Sequence, residues 1–312
     1  MNKKAFLQEL EGDEELTTLT SAQDWVKENK ISIEAQLKEY GAVLFRNLPI
    51  ENAEDFDFFI SAFHYKTFTY EESLSNAVRI NKTDKVFTAN EAPKEIEIFL
   101  HHEMAQTPIY PKSIFFFCKS ASLHGGETPL CRSDHLYAAL LDEDPNLIMK
   151  FEENGVIYNS VMSNGDELAS GQGRSWQKTL GVKSKQEAEI KLNVLGYNWN
   201  WIDGDDLSVT TKAFKAIKEL EDGNRSFFNQ VLAASLGWKK NSKENLSPVR
   251  FGNGEEIPDS KIQIISELAK SLTLLRQWED KDILLIDNYR VMHGRKPFSG
   301  RKNREVLVSL TN

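Results

Sequence analysis

Two blocks of short β-type runs, far apart in the sequence, most constrain how this chain can fold. The first block, from about residue 78 to 130, contains the runs VRI, KVFT, EIEIFLHHEM, SIFFFCKS and GGETPLC, with Pro, Gly and Asn between them. The second block is the C-terminal stretch DILLIDNYRVMHGRKPFSGRKNREVLVSLTN, which predicts a strand, a turn and another strand. If residues of the two blocks share a site, strands from both blocks must meet in one sheet.

Helical patterns flank and separate the two blocks. Residues 21 to 40 predict a helix that closes on Gly41, followed by the short strand AVLFRNLPI and a second helix, ENAEDFDFFISAFHY. Between about 134 and 275, helical segments such as DSKIQIISELAKSLTLLRQWE alternate with aromatic strands such as YNWNWID. We interpret this region as a largely helical insertion. No repeat or linker is visible, and at this length a single domain over residues 1–312, with insertions, is as plausible as two domains.

The charge balance disfavours several classes of partner. The chain has 47 acidic and 38 basic residues among 312, and the resulting net charge of −9 repels nucleic acid and anionic lipid. No run of about 18 apolar residues predicts a membrane span. Cys118 and Cys131 form no C-x-x-C pair, and no signal peptide is visible, so a cytoplasmic location is predicted. The sequence does not predict an oligomeric state.

The stretch FLHHEMAQTPIYP contains candidate metal ligands. If EIEIFLHHEM is extended, alternate side chains point to opposite faces, so His101 and Glu103 project together and His102 points away. We therefore expect a structural or substrate-facing role for His102. A helical interpretation would begin the zinc-protease motif H-E-x-x-H, but Gln106 occupies the place of its second histidine.

A third ligand must come from elsewhere in the chain. The remaining histidines are His64, His102, His124, His135 and His293. His64 and His135 lie in predicted helices, whereas His293 follows the strand DILLID beside a Gly-containing turn, so His293 is the best candidate. Two histidines and one carboxylate form the facial triad of non-haem Fe(II) oxygenases. Zinc can use the same ligands for hydrolysis, so the triad alone leaves the chemistry open.

His101-x-Glu103 with the distal His293 resembles the Fe(II)- and 2-oxoglutarate-dependent dioxygenases of the taurine dioxygenase (TauD/TfdA) superfamily. The resemblance extends over most of the chain. It rests on these segments: GAVLFRNL, VFTANEAP, HHEMAQ, GGETPL, FFNQ and DNYRVMHGRKPF. It implies an α+β fold, with a double-stranded β-helix (jelly-roll) core of clavaminate synthase-like type and with flanking and inserted helices. It also implies His101, Glu103 and His293 as ligands of a catalytic Fe(II), with 2-oxoglutarate and O2 as co-substrates.

The resemblance also implies a site for the far carboxylate of 2-oxoglutarate. Arg304 begins the strand after His293, as the co-substrate arginine of the family does, and a guanidinium fork suits a carboxylate. Thr128 of GGETPL matches the family threonine that supports the same group. Arg301 is the alternative to Arg304, while Arg295 lies too close to the turn to be preferred. Neither a zinc hydrolase nor a non-catalytic metal-binding jelly-roll protein needs such a pair.

The substrate is the least constrained part of the prediction. In taurine dioxygenase a second arginine, four residues after the co-substrate arginine, holds the sulfonate, and Val308 stands at that position here. This departure, together with Glu103 in place of the aspartate usual in taurine dioxygenase, places the chain nearer the clavaminate synthase-like branch. The resemblance then implies oxidation, most simply hydroxylation, of a small polar metabolite such as an amino acid or its derivative. Asn90, Arg174 and Asn229 are the candidate substrate contacts.

Overall fold

The structure is a computed structural model that combines sheets with covering helices. It describes residues 6–12, 15–68, 74–75, 77–166, 173–238, 246–300 and 304–312. The helices are α1 (Leu19–Tyr40), α2 (Ala53–Ser61), α3 (Ser133–Glu143), α4 (Pro145–Asn154), α5 (Trp176–Leu180), α6 (Lys185–Leu195), α7 (Val231–Gly237) and α8 (Asp259–Leu272). The strands are β1 (Leu7–Glu11), β2 (Ala42–Arg46), β3 (Phe87–Thr88), β4 (Ile98–His101), β5 (Ser113–Ser120), β6 (His124–Gly125), β7 (Leu130–Arg132), β8 (Val156–Met162), β9 (Asn198–Ile202), β10 (Asp206–Thr210), β11 (Lys218–Glu219), β12 (Arg225–Ser226), β13 (Val249–Phe251), β14 (Ile283–Asp287), β15 (Val291–Arg295), β16 (Phe298–Ser299) and β17 (Glu305–Thr311).

Strands from the two β-rich blocks pair in two separate sheets. The larger sheet has the order β1-β2-β14-β5-β17-β3, and its pairs are antiparallel except for the parallel pair β1/β2. The smaller sheet has the order β4-β15-β7, with β15 from the C-terminal block between two strands of the first block. The prediction that the two blocks meet in one sheet is confirmed in both sheets.

The run SIFFFCKS shows how the large sheet receives a packed layer on each face. Phe115 and Phe117 point to one face, where they belong to a buried cluster with residues of α1 and α2. Ile114 and Phe116 point to the other face, in a cluster that includes Leu130 of the small sheet. This alternation is the two-residue period of a strand that is buried on both faces. The core therefore lies between the two sheets and beneath the first two helices.

The N-terminal helix pair follows the sequence signals, with shifted ends. α1 begins two residues before the predicted start, because the Thr18 hydroxyl accepts the Ser21 N–H and the Ser21 hydroxyl receives the Thr18 N–H. The last residue of α1 is Tyr40, and Gly41 caps the helix with a φ of 84°, which suits a residue without a side chain. α2 ends at Ser61 rather than near Tyr65, so His64 follows the helix instead of lying inside it.

The segment from 134 to 275 contains helices α3 to α8 and also a four-stranded antiparallel sheet, β13-β8-β10-β9. Its core includes Phe151, Phe227 and Ile265, which share a buried cluster with Cys131 and Met292 of the small sheet. This segment therefore covers the outer face of the sheet that carries His293. Among the described residues, no helix combines the length and apolar character needed to cross a membrane.

Candidate metal centre

His101 and His293 are paired across two strands of the small sheet. His101 is the last residue of β4, and its partner in the antiparallel register with β15 is His293. The ring centroids lie 4.4 Å apart. The register shifts between His293 and Arg295, where Gly294 allows a close approach: a Cβ at Gly294 would lie 2.4 Å from the backbone oxygen of Ile98. Sheet pairing thus places both imidazoles on one side of the same strand pair.

Glu103 reaches the histidines from a turn rather than from the strand. The extended run predicted through Met104 ends at His101, and Met104 has a φ of 60°. The Asn288 side chain holds this turn, since its Oδ1 accepts the Glu103 N–H at 2.8 Å and its Nδ2 donates to the Glu103 carbonyl at 3.1 Å. The expected extent of the strand was wrong, although Glu103 does lie beside His101.

The three side chains offer donor atoms that converge. One ligand atom from each of His101, Glu103 and His293 lies within 4.8 Å of the other two. Glu103 Oε2 lies 3.4 Å from His293 Nε2 and 3.9 Å from His101 Nε2. The His101 Nδ1 lies 2.8 Å from the Phe99 carbonyl, a contact that leaves Nε2 to face the carboxylate. Two imidazole nitrogens and one carboxylate oxygen fit a non-haem iron.

Charges around the cluster favour the protonation states that a metal requires. Burial, together with repulsion from His293, lowers the pKa of His101 to about 4. Burial raises the pKa of Glu103, but Arg79 and the two histidines outweigh burial and hold that pKa well below its usual range. At neutral pH the cluster therefore offers a neutral His101 and an ionised Glu103, the forms that bind metals.

Arg79 is a neighbour of the cluster that sequence reasoning missed. Its Nη2 lies 2.8 Å from Glu103 Oε1, and the two side chains are only 7% and 5% exposed. No periodicity or motif relates residue 79 to residue 103, so only the structure reveals this ion pair. Asn288 was missed in the same way.

A cavity joins the cluster to Arg304 and Thr128. It is lined by Ser75, Ala77, Arg79, Ala89, Asn90, Ile98, His101, Glu103, Met104, Gln106, Phe116, Thr128, Gln230, Ala233, Trp238, His293, Gly294, Arg295, Arg304 and Val306. Thr128 Oγ1 accepts the Trp278 indole N–H at 3.0 Å, so its hydroxyl hydrogen can still be donated. The lining of this one cavity therefore includes both the candidate metal ligands and a hydroxyl donor.

Arg304 brings a positive charge into this cavity without an ion-pair partner among the described residues. Its Nε donates to the Gly126 carbonyl at 3.0 Å, and its guanidinium lies 5.6 Å from the centroid of the Phe298 ring. A Cβ at Gly126 would lie 2.9 Å from Arg304 Cδ, so the second glycine of GGETPL makes room for this side chain. Burial lowers the pKa of Arg304 to about 10, a direction that an incoming carboxylate would reverse.

Arg295 differs from Arg304 although both line the cavity. The Arg295 Nη atoms donate to the carbonyls of Ala92, Pro93 and Ile96 at 2.6 to 2.8 Å, so Arg295 fixes the loop before β4. Arg301, the alternative to Arg304, lies outside the described residues.

The other sequence candidates occupy different places. Asn90 lines the cavity, with its Oδ1 accepting the Ala92 N–H. Asn229 is buried outside the cavity lining, where it donates to the Ala216 carbonyl and accepts the Val231 N–H. Arg174 also lies outside the lining and donates to the carbonyls of Ser75 and Lys178.

His102, as expected, turns away from Glu103 and is not part of the ligand cluster. Its Nδ1 lies 2.5 Å from the carbonyl of Asn288. Sequence reasoning missed Gln106, Gln230 and Trp238, which line the cavity.

Sequence comparisons agree with this geometry. Residues 12–310 match the family described as taurine catabolism dioxygenase TauD, TfdA. A clavaminate synthase-like protein of Arabidopsis thaliana is 34% identical over 286 residues, which are 91% of this chain and 86% of the relative. The dapdiamide synthesis protein DdaC of Enterobacter agglomerans is 30% identical over 297 residues, which are 89% of this chain and 84% of the relative.

Solved structures share the fold at low sequence identity. AAD-2, in complex with Mn(II) and N-oxalylglycine, has a TM-score of 0.54 and 14% identity, over 99% of this chain and 94% of that chain. The PvcB protein from Pseudomonas aeruginosa has a TM-score of 0.55 and 12% identity, over 99% of this chain and 86% of that chain. These two likenesses concern the fold alone.

Proposed function

We propose that this chain, which belongs to the TauD, TfdA family of dioxygenases, uses Fe(II) to couple oxidative decarboxylation of 2-oxoglutarate to the oxidation of a small polar metabolite. The oxidation is most simply a hydroxylation. His101, Glu103 and His293 hold the metal, and Arg304 with Thr128 holds the far carboxylate of the co-substrate. The observation that carries the proposal is one cavity that contains both the convergent ligand set and the partly buried guanidinium of Arg304.

The side chains of this chain have separate tasks in the proposed reaction. Iron held by the triad supplies redox chemistry that amino-acid side chains lack. His101 and Glu103 keep the protonation states that bind the metal, as their shifted pKa values favour. Arg304 and the Thr128 hydroxyl orient the carboxylate of 2-oxoglutarate, and the burial of Thr128 and partial burial of Arg304 strengthen that interaction because less water competes with it.

A zinc hydrolase with the same three ligands is less well supported. Such an enzyme has no need of a partly buried guanidinium and a hydroxyl donor in the metal cavity, whereas a dicarboxylate co-substrate needs both. The same argument disfavours a non-catalytic metal-binding protein. The distribution of charge in the cavity thus favours the dioxygenase.

The wider predictions from the sequence fit this proposal. We infer that the two facing sheets are the double-stranded β-helix of the clavaminate synthase-like proteins, and that residues 1–312 form one domain with 134–275 as its insertion. The cytoplasmic location remains a prediction. Val308 is buried in the sheet outside the cavity lining, so no cation stands there to hold a sulfonate. This supports an amino acid or its derivative rather than taurine as the substrate.

Two measurements test the proposal. Fe(II) and 2-oxoglutarate added without oxygen should give the weak visible charge-transfer band of the chelate in the wild-type protein but not in His293→Ala. A panel of amino acids, taurine and alkyl sulfonates, screened for succinate release and substrate oxidation together, then identifies the substrate class. Absence of the band, combined with zinc-dependent ester hydrolysis, would instead support the hydrolase. Tightly coupled oxidation of taurine with no response to amino acids would overturn the substrate class.

A further inference from the structure

The two oxygen atoms of the Glu103 carboxylate have different neighbours. Oε2 faces the Nε2 atoms of both histidines, at 3.4 Å from His293 and 3.9 Å from His101. Oε1 faces away from them and accepts a hydrogen bond from Arg79 Nη2 at 2.8 Å. One oxygen is therefore directed at the candidate metal position while a guanidinium engages the other.

Contacts on both sides of the ion pair between Glu103 and Arg79 hold its two partners in place. The backbone on both sides of Glu103 Cα is held, because Asn288 accepts from its N–H and donates to its carbonyl. On the other side of the ion pair, the guanidinium carbon of Arg79 lies 5.9 Å from the centroid of the Phe87 ring. Both charged side chains are nearly inaccessible to solvent, so water cannot readily replace either partner. Exchange of Oε1 and Oε2 would require breaking a buried ion pair.

We propose that Arg79 is a positioning residue that restricts Glu103 to binding the metal through a single oxygen, Oε2. An octahedral metal held by two histidines and one carboxylate oxygen keeps three open positions. If Oε1 also bound, only two positions would remain, and a chelating co-substrate would fill both of them. The inference rests on the proposed function in this respect: Arg79 preserves the third position by engaging Oε1.

Arg79 also contributes a positive charge beside the metal position. Replacing it with an uncharged residue removes repulsion of a divalent cation and leaves Oε1 able to bind. The proposal therefore expects the variant to bind the metal and 2-oxoglutarate, which needs only two positions, about as tightly as wild type. It should lose the third position, which a water molecule occupies in the wild-type complex. A residue that only supports the fold would instead weaken the affinity for both ligands.

The experiment uses Mn(II) as the probe, with Arg79→Met and Arg79→Lys. Titration of the metal-free protein with Mn(II) gives the metal affinity, and the relaxation rate of water protons reports the number of water molecules on the bound metal. Titration of the Mn(II) protein with 2-oxoglutarate in the absence of oxygen gives the co-substrate affinity. With 2-oxoglutarate bound, one water should remain on the metal in wild type and none in Arg79→Met, and Arg79→Lys should keep part of the water signal, because an ammonium can still donate to Oε1. Arg276→Met, which removes a partly exposed guanidinium paired with Glu9, is the matched control and should match wild type.

The possible outcomes distinguish a positioning role for Arg79 from a purely structural role. Parallel loss of Mn(II) and 2-oxoglutarate affinity in both Arg79 variants would assign Arg79 to the fold and overturn the proposal. A wild-type number of bound waters in Arg79→Met would also overturn it. If wild type binds Mn(II) but not 2-oxoglutarate, the proposed function fails. Water relaxation in the Mn(II) protein alone then still tests the positioning role, because binding of Oε1 displaces one water whether or not a co-substrate is present.

Discussion

His101 and His293 are direct partners in the register of β4 and β15, so the alignment of two strands fixes the distance between two candidate ligands. A slip of one residue would turn one of the imidazoles to the opposite face of the sheet, because side chains alternate along a strand. The register of the small sheet is therefore a functional property as well as a structural one. The chain brings the third side chain, Glu103, to this pair from a turn held by Asn288.

The first prediction concerns Arg304. Arg304→Met should weaken binding of 2-oxoglutarate to the Mn(II)-loaded protein by about a hundredfold, since a buried carboxylate without its cation loses about 3 kcal/mol. Arg304→Lys should restore only part of the affinity, because an ammonium cannot form the two parallel bonds of a guanidinium. Isothermal titration measures both, and Mn(II) affinity should stay near wild type. Unchanged co-substrate affinity in Arg304→Met would move this role to Arg301.

The second prediction separates metal ligation from folding. Loss of either ligand should abolish turnover, but Glu103→Ala should also lower the free energy of unfolding by about 3 kcal/mol, since it removes the carboxylate from the buried ion pair of Arg79 and Glu103. His293→Ala leaves that ion pair intact and should be less destabilising. Adding Arg79→Met to Glu103→Ala should recover part of the loss. Urea unfolding of the metal-free proteins measures this, and equal stability of the two single variants would contradict it.

The third prediction is a loss of stability at mildly acidic pH in the metal-free protein. Burial lowers the pKa of His101 to about 4 and that of His102 to about 3, from the ordinary 6.5. Between pH 6.5 and about 4, these histidines bind protons in the unfolded chain but not in the folded protein. The contribution of the two neutral histidines to the free energy of unfolding is therefore complete above pH 6.5 and is lost as the pH falls toward 4. Each proton adds a slope of about 1.4 kcal/mol per pH unit.

Urea unfolding in small pH steps measures that slope. Saturating Mn(II) should extend the slope below pH 4, because the metal competes with protons for His101 in the folded state, where the metal-free protein would begin to bind a proton. A flat profile between pH 6.5 and 4 would show that both histidines are protonated equally in the folded and unfolded states.

How much of the site the sequence predicts depends on how local each signal is. Alternation along a β-type run placed His101 with Glu103, and a turn after a strand singled out His293, because both signals lie within a few residues. The extent of β4 was wrong because Asn288, far away in sequence, holds the backbone of Glu103. Arg79 was invisible for the same reason, since its role depends on a tertiary contact.

Substrate contacts were the hardest part to predict. Asn229 lies in a stretch that resembles pocket-lining segments of the family. Its side-chain amide nitrogen and oxygen nevertheless both form hydrogen bonds with the backbone. Arg174 likewise bonds the carbonyls of Ser75 and Lys178. Sequence patterns show which residues are polar, but not whether the fold leaves their polar groups to a ligand or uses them internally.

The last prediction tests whether the strand pair sets the geometry of the site. Gly294 follows His293, and a Cβ there would meet the Ile98 carbonyl oxygen at 2.4 Å, too close for real atoms. Since that oxygen belongs to the backbone of β4, Gly294→Ala must push β4 away from β15 and move His101 relative to His293. We expect a loss of Mn(II) affinity of about tenfold or more, together with a lower melting temperature. Gly165→Ala is the matched control, because nothing lies within 4 Å of its Cβ position. If Gly294→Ala melted earlier but bound Mn(II) like wild type, the distance between the histidines would not depend on this close contact.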